Sequence, residues 1–364
     1  MLLIYLLAFI VLVNCIYYLF FASFIFRRAQ EIPYNKRFPV SVLVCAKNES
    51  ENLKNHIPLW LAQDYPDFEL ILINDSSSDD TLEVMNHFAA SDERIKIVDV
   101  ESNEAFWGNK KYALTLGIKK ASNKRMLFTD ADCWPATEKW ITSMVSSFSE
   151  EKQIILGYGG YRGKPGLLNT LIRYETVITA LQYFSYASKG IPYMGVGRNI
   201  AYTSNIFYAN NGFTSHMNVR SGDDDLFVNQ AATSSNTALQ YSPESFTYSV
   251  SEKTWRNWIR QKRRHGSTAS YYKPKFKVLL SCYYIFNLLF WGVSVCALIF
   301  SNWKIALSII IFRLLIQYAV QGKAAITFRE SGLIVLIPFL ELFLVCLQLS
   351  IFISSRISKQ SPWK

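Results

Sequence analysis

The sequence predicts an α/β domain set between membrane-spanning helices. Three observations predict it. From residue 40 to residue 130, short apolar runs alternate with helix-patterned segments, the βαβ rhythm of a parallel sheet. Residues 2–26 contain no charged side chain, and long apolar runs return between about 278 and 354. Acidic clusters stand where predicted strands stop, at the sheet edge where open α/β folds bind ligands. The expected organisation is an N-terminal anchor over 1–27, a globular domain over 38–272 and a C-terminal membrane region over 278–354.

Each element follows from its residues. The run from Leu2 to Phe26 is long enough to span a bilayer with some tilt. Arg27, Arg28, Lys36 and Arg37 follow it, which predicts a retained anchor with the next domain on the cytoplasmic side. Val40–Cys45 and Phe68–Ile73 are apolar, β-branched runs of buried-strand type. They end in Ala46-Lys47-Asn48-Glu49 and in Asn74-Asp75-Ser76-Ser77-Ser78-Asp79-Asp80-Thr81. Helices are expected up to about Leu61, over 81–90 and over 109–121, with strands at Ile95–Val98 and Arg125–Phe128. Residues 153–158 read as a further strand and 166–188 as a Tyr-rich helix. Beyond Lys277, apolar stretches cover about 278–301, 305–321 and 331–354. The middle one is short and carries Arg313 and Gln317, so it reads as a span or as an interfacial segment.

Phe128-Thr129-Asp130-Ala131-Asp132-Cys133 is the stretch around which the domain is organised. Two carboxylates one residue apart, leaving a strand into the ligand crevice, suit a divalent cation, Mg2+ or Mn2+, that also bridges phosphates. An Asx-type turn explains the same triplet taken alone. Pro135 suits the first turn of a helix. A second acidic cluster, Gly222-Asp223-Asp224-Asp225-Leu226, reads either as chemistry or as a helix cap. Gly195-Val196-Gly197-Arg198-Asn199 invites a dinucleotide-loop reading, but the third glycine position holds Ile200 and no first βα turn precedes it.

Together these residues resemble the membrane-bound family 2 glycosyltransferases of GT-A fold, the group of the cellulose, hyaluronan and ceramide glucosyltransferase enzymes. The resemblance covers 40–270 and, in its membrane layout, nearly the whole chain. It rests on Asp75, the D-x-D pair Asp130 and Asp132, Asp224, and Gln261-Lys262-Arg263-Arg264-His265. Asn74 stands where the family usually has another Asp, and His265 where processive synthases have Trp. The resemblance implies an inverting, metal-dependent transfer of a sugar from a nucleotide-diphosphate donor to a lipid or glycan acceptor at the membrane. Asp224 would be the base, with Gln261, Arg263 and Arg264 beside the leaving group. Asp75, Glu49, Lys110 and Asp130 would bind the donor, Asp130 and Asp132 the metal, and His265 or Trp258 the acceptor. Lys110 lies in Gly108-Asn109-Lys110-Lys111-Tyr112-Ala113-Leu114, which looks like the family's G-K-x-x-A-L element. His265 in place of Trp predicts single-sugar or short-chain transfer more than long processive synthesis.

Composition narrows the alternatives. Net charge is +10, but the excess lies beside apolar runs, which points to the cytoplasmic face of a cell (inner) membrane and not to nucleic acid. The six cysteines are scattered without a C-x-x-C and only four histidines occur, which argues against a zinc site and a disulfide framework. A catalytically inactive scaffold would be favoured by loss of Asp130, Asp132 or Asp224, and all three are present. A sugar nucleotidyltransferase would carry a Gly-rich, Arg-bearing loop after the first strand, where Ala46-Lys47-Asn48-Glu49 stands.

Overall fold

The computed structural model describes residues 1–26, 38–101, 109–219 and 221–357. The bases Arg27, Arg28, Lys36 and Arg37, on which the expected orientation rested, lie outside the described residues, as do Gly108 and the tail lysines Lys359 and Lys364. In chain order the elements begin with α1 (Leu2–Ile25), β1 (Val40–Ala46), α2 (Ser50–Leu61), β2 (Phe68–Asp75), α3 (Thr81–Ala89), β3 (Ile95–Val100), α4 (Asn109–Lys120) and β4 (Arg125–Asp130). Then come β5 (Cys133–Pro135), α5 (Trp140–Ser146), β6 (Ile154–Leu156), β7 (Gly159–Tyr161), α6 (Leu167–Ser188), β8 (Ile200–Thr203), α7 (Ser204–Ala209), α8 (Asp225–Ala231), β9 (Thr237–Leu239) and β10 (Thr247–Ser249). Four helices follow: α9 (Trp255–Ala269), α10 (Pro274–Phe300), α11 (Trp303–Thr327) and α12 (Ile337–Ile357). The chain divides into a mixed unit, Ala29–Arg162 with Tyr186–Ser251, and a helical unit, Met1–Arg28 with Gly163–Ser185 and Glu252–Lys364.

The mixed unit is built on a seven-stranded sheet of order β3-β2-β1-β4-β8-β6-β9. Strands β3, β2, β1 and β4 run parallel, and the mostly apolar runs of β1, β2 and β4 suit a sheet covered on both faces. All eight residues of β2 are buried, and Glu69, flanked by apolar side chains, is neutralised by Lys96 at 2.5 Å. Leu53, Ile57, Trp60, Met85, Trp140 and Ile141 pack with Val42, Val44, Leu70 and Leu72 to form the core. The connection order reverses at β1, between β2 and β4, so the carboxyl ends of β1 and β4 form the crevice of an open sheet. Cys45 and Asp130 are register partners there.

A second sheet, of order β5-β10-β7, was not legible in the sequence. The strand expected at 153–158 is β6 of the large sheet, and β7, which follows it, joins the small one. Gly157 makes the corner, where any Cβ would stand 2.7 Å from the Asn199 side chain. Pro135 does not open a helix. It ends β5, opposite Thr247 of antiparallel β10, and helix α5 starts only at Trp140.

Among the described residues of the helical unit, four segments are long and apolar enough to cross a membrane: Leu2–Ile25, Pro274–Phe300, Trp303–Thr327 and Ser331–Ser354. The middle C-terminal stretch is therefore longer than its apolar run indicated. Arg313 is fully buried in α11 and bridges to Glu341 of α12 at 2.8 Å. Its guanidinium also donates to Asn14 of α1 and Asn287 of α10 (3.1 and 2.8 Å) and to Gln317 (2.6 Å). Every helix of the set thus places a polar group on one cation, which is how an ionisable residue is kept inside an apolar bundle.

Candidate active site

Strand β4 delivers Asp130 to the sheet edge, and two tethers fix the turn behind it. Thr129 Oγ1 donates to the Arg198 carbonyl (2.9 Å), and the buried His56 ring contacts the Ala131 carbonyl through Nδ1 (2.9 Å). Asp132 is held from the small sheet, where Ser249 Oγ donates to Oδ2 (2.8 Å). Its other oxygen meets Cys133 Sγ at 3.4 Å. Asp130, Asp132 and Cys133 are close enough to hold one ion. Burial and the neighbouring carboxylates push the Cys133 thiol well up, so it stays protonated. The two carboxylates offer oxygen ligands of the kind that suit Mg2+ or Mn2+.

Helix α4 supplies the cation that joins the two acidic clusters. Lys110 Nζ lies 2.9 Å from Asp130 Oδ1 and 2.8 Å from Asp223 Oδ2. Burial opposes the ammonium, but the two carboxylates hold its pKa well above the ordinary lysine value. Burial likewise opposes the Asp223 charge, and Lys110 overcomes it, leaving Asp223 below the usual carboxylate range.

Asp224 has the opposite fate. It is the N-cap of α8, with Oδ1 accepting from the Asp225 N–H (2.7 Å) and Oδ2 from the Gly197 N–H (2.6 Å). Burial, then the Asp223 and Asp225 charges, push its pKa up to about 7. A Cβ at position 197 would stand 3.2 Å from Asp224 Oδ2, so glycine permits this close approach. A small cavity opens here, lined by Lys110, Asp130, Gly197, Asp223 and Asp224 over an apolar floor that includes Leu43 and Phe128.

Asp75 ends β2, is 5 % exposed, and is pushed up by burial against the nearby Lys47 and Lys110 charges. Asn74, the departure from the family pattern, ties β2 to β3 through Asp99 (2.7 Å). Glu49 follows the left-handed Asn48 (φ 57°) and accepts from Asn52 (2.5 Å). Burial raises its pKa, and Asp132 and Asp130 add to the effect, which places their charges within its reach.

Gln261, Lys262, Arg263, Arg264 and His265 lie on α9 of the helical unit, a helix capped by Thr254. Within that unit Lys262 pairs with Glu175 of α6 (2.6 Å), and Arg263 donates to Ser354 of α12 (2.7 Å). His265 is exposed, while Gln261 and Arg264 are half-buried. Trp258, expected as an acceptor contact, is 1 % exposed with Trp255 packed edge-on at 5.7 Å.

Two groups escaped sequence reasoning. Lys111, 1 % exposed, donates to the His216 and Val219 carbonyls (2.7 and 2.9 Å) and so fixes the segment leading to Asp223. Burial lowers its pKa to about 8. Arg198, in the loop set aside as a failed dinucleotide motif, feels the Asp132 and Asp130 charges. No local pattern marks either, because their partners are distant in sequence.

Comparison with known proteins agrees with this geometry. Residues 41–205 match the model of Glycosyl transferase family 2. A poly-beta-1,6-N-acetyl-D-glucosamine synthase of Staphylococcus epidermidis is 30% identical over 179 residues, 49% of this chain and 40% of that protein. Glycosyltransferase AglE of Haloferax volcanii is 26% identical over 170 residues, 46% of this chain and 51% of that protein. The chain thus spans about half the length, or less, of the curated relatives it matches. A mannosyltransferase of Pyrobaculum calidifontis, solved with GDP-Man and Mn2+, superposes with a TM-score of 0.59 at 15% identity, covering 90% of this chain and 96% of that one. Residues 41–205 thus match Glycosyl transferase family 2 within a unit of GT-A-like fold, in a chain whose described residues include four helices long and apolar enough to cross a membrane.

Proposed function

We propose that the chain transfers a sugar, with inversion, from a nucleoside-diphosphate donor to a lipid or glycan acceptor at a membrane, with its mixed unit on the cytoplasmic side of the cell (inner) membrane and its helices crossing it several times. One observation carries this reading. Lys110 clamps Asp130 and Asp223 while the adjacent Asp224 is poised at about 7. A carboxylate with that pKa suits proton removal from an acceptor hydroxyl near neutral pH. Asp223, kept ionised by Lys110, raises the basicity of Asp224, and the Gly197 and Asp225 N–H groups hold the base in one orientation.

Asp130 and Asp132 are the proposed metal ligands. Each carboxylate retains lone pairs beyond those used by Lys110, Ser249 and Cys133. A bound Mg2+ or Mn2+ supplies Lewis-acid neutralisation of the diphosphate leaving group. The Mn2+ and GDP-Man of the Pyrobaculum enzyme support the same assignment. Lys110, Asp75 and Glu49 are the further donor-side groups. From α9, Gln261, Arg263 and Arg264 are proposed for the leaving group and His265 for the acceptor. No nucleic-acid role is proposed.

A polymer-forming variant of the reaction is favoured by one observation, the likeness to poly-beta-1,6-N-acetyl-D-glucosamine synthase. One experiment tests both. Membranes containing the chain or its Asp132→Ala variant are incubated with a panel of nucleotide sugars, with Mn2+ or EDTA, and products are weighed by mass spectrometry. A metal-dependent product of one fixed mass, lost in Asp132→Ala, is expected. A ladder of masses establishes the polymerase reading, and full turnover in EDTA overturns the metal assignment.

A further inference from the structure

The G-V-G-R-N loop is immobilised at every residue that flanks Arg198, and its guanidinium is the part left over. Gly197 N–H is bound to Asp224. The Arg198 carbonyl accepts from both Thr129 and Thr247 (2.9 Å each). Asn199, fully buried, accepts from Trp140 Nε1 (3.0 Å) and donates to the Tyr158 and Ser245 carbonyls (2.9 and 2.7 Å). A loop fixed this tightly aims its one long side chain in a single direction.

That side chain has a built seat. The guanidinium carbon lies 4.2 Å from the centre of the Tyr161 ring, and Nη1 makes a 3.3 Å bond to the Gly160 carbonyl. Glycine at 159 makes the room, since a Cβ there would stand 2.9 Å from Arg198 Cβ. Tyr161 is the register partner of Ser249, and Ser249 is the residue that holds Asp132. The seat is therefore one strand away from the D-x-D carboxylates. Burial works against the charge, but Tyr161, Cys133, Asp132 and Asp130 hold it above the ordinary arginine value. Among the described residues Arg198 forms no ion pair, and Nε and Nη2 have no hydrogen-bond partner.

A half-buried guanidinium with unfilled donors beside a cation site is arranged for an oxyanion that can accept two N–H bonds at once, such as a phosphate. We infer that Arg198 binds the diphosphate of the nucleotide donor, as a fixed cation in addition to the metal at Asp130 and Asp132. This rests on the nucleotide-sugar reading and assigns its leaving group a second contact. Stacking on Tyr161 holds the planar fork in one orientation and leaves its free edge for phosphate oxygens.

Titration calorimetry of the detergent-purified full chain tests it, with UDP, GDP, UMP and GMP as probes in Mn2+ buffer. Wild type is expected to bind one of the diphosphates. Arg198→Met should weaken that diphosphate by about 10- to 100-fold, the worth of a charge-assisted pair of bonds, and the matching monophosphate by much less. Arg198→Lys keeps the charge without the fork and should fall between the two. If Arg198→Met does not fold, the lysine variant decides, because a diphosphate-to-monophosphate ratio unchanged from wild type overturns the inference. Equal diphosphate binding in Arg198→Met and wild type overturns it while leaving the proposed reaction intact. Binding of neither diphosphate by wild type overturns both.

Discussion

Replacing Asp224 by Asn should make the protein more stable at pH 8 while abolishing most of its activity. In the folded chain Asp224 titrates at about 7 against an ordinary 3.8, because of burial first and the Asp223 and Asp225 charges second. The interval corresponds to roughly 4 kcal/mol at about 1.4 kcal/mol per pH unit. Between those two values the folded state holds a proton that the unfolded chain has released, so wild-type stability falls as pH rises through this window. About 3 kcal/mol of the fall lies between pH 5 and pH 8. This is an upper bound, because the Asp224 side chain keeps partial contact with water.

The amide of the Asp224→Asn variant has no proton to lose, so its stability omits that fall. The substitution leaves one of the two backbone donors, Gly197 N–H or Asp225 N–H, facing an amide NH2. A protonated carboxyl presents much the same mismatch, so the two proteins should be close in stability at pH 5. Denaturant unfolding in detergent at pH 5, 6, 7 and 8 reads the effect. The Asn variant should gain on wild type steadily with pH, up to about 3 kcal/mol, while turnover drops by about 100- to 10,000-fold. A stability difference that does not change with pH would refute the reasoning, since Asp224 would then already be charged at pH 5.

Two further predictions concern the helical unit and its surroundings. Glu341→Ala should cost on the order of 3–5 kcal/mol by stranding the buried Arg313, whereas Arg313→Met with Glu341→Leu should recover most of it; thermal unfolding in detergent that shows the double variant as weak as the single one would contradict the pairing. A reporter cysteine at the exposed Ser91, in a chain with the exposed Cys296 and Cys346 replaced, should resist an impermeant thiol reagent in intact cells and react after lysis; labelling before lysis would place the mixed unit outside.

What could be read from the sequence tracks how locally each feature is determined. Strands β1, β2 and β4 are apolar runs buried on both faces, so their ends, and with them Asp75 and the D-x-D pair, were legible. Strands β5, β7 and β10 are three residues each, too short for a period of two to register. Their pairing depends on tertiary register, and so the seat of Arg198 was invisible. The true length of α11 was hidden by Arg313 and Gln317, because the groups that neutralise Arg313 come from α1, α10 and α12, up to 299 residues away in sequence. Lys111 read as one more basic residue, since backbone carbonyls at 216 and 219 leave no trace in a pattern of side chains.

Asp224 shows that the structural and the chemical reading of an acidic cluster need not compete. As an N-cap its carboxylate satisfies the first N–H of α8 through Oδ1, and its other oxygen accepts from Gly197 N–H. Two such bonds by themselves would draw a carboxyl below its ordinary value, because they favour the charged form. The Asp224 carboxyl is instead pushed up, because burial and the flanking Asp223 and Asp225 outweigh the cap. The cap thus contributes aim and the neighbours contribute basicity. Each oxygen accepts one N–H and keeps a lone pair for an acceptor hydroxyl. A residue at this position that capped equally well without a carboxylate, such as Asn or Ser, would preserve the start of α8 and lose the proposed base. Fold and proton transfer therefore separate on a single side chain, which is why stability and turnover are expected to move in opposite directions above pH 7.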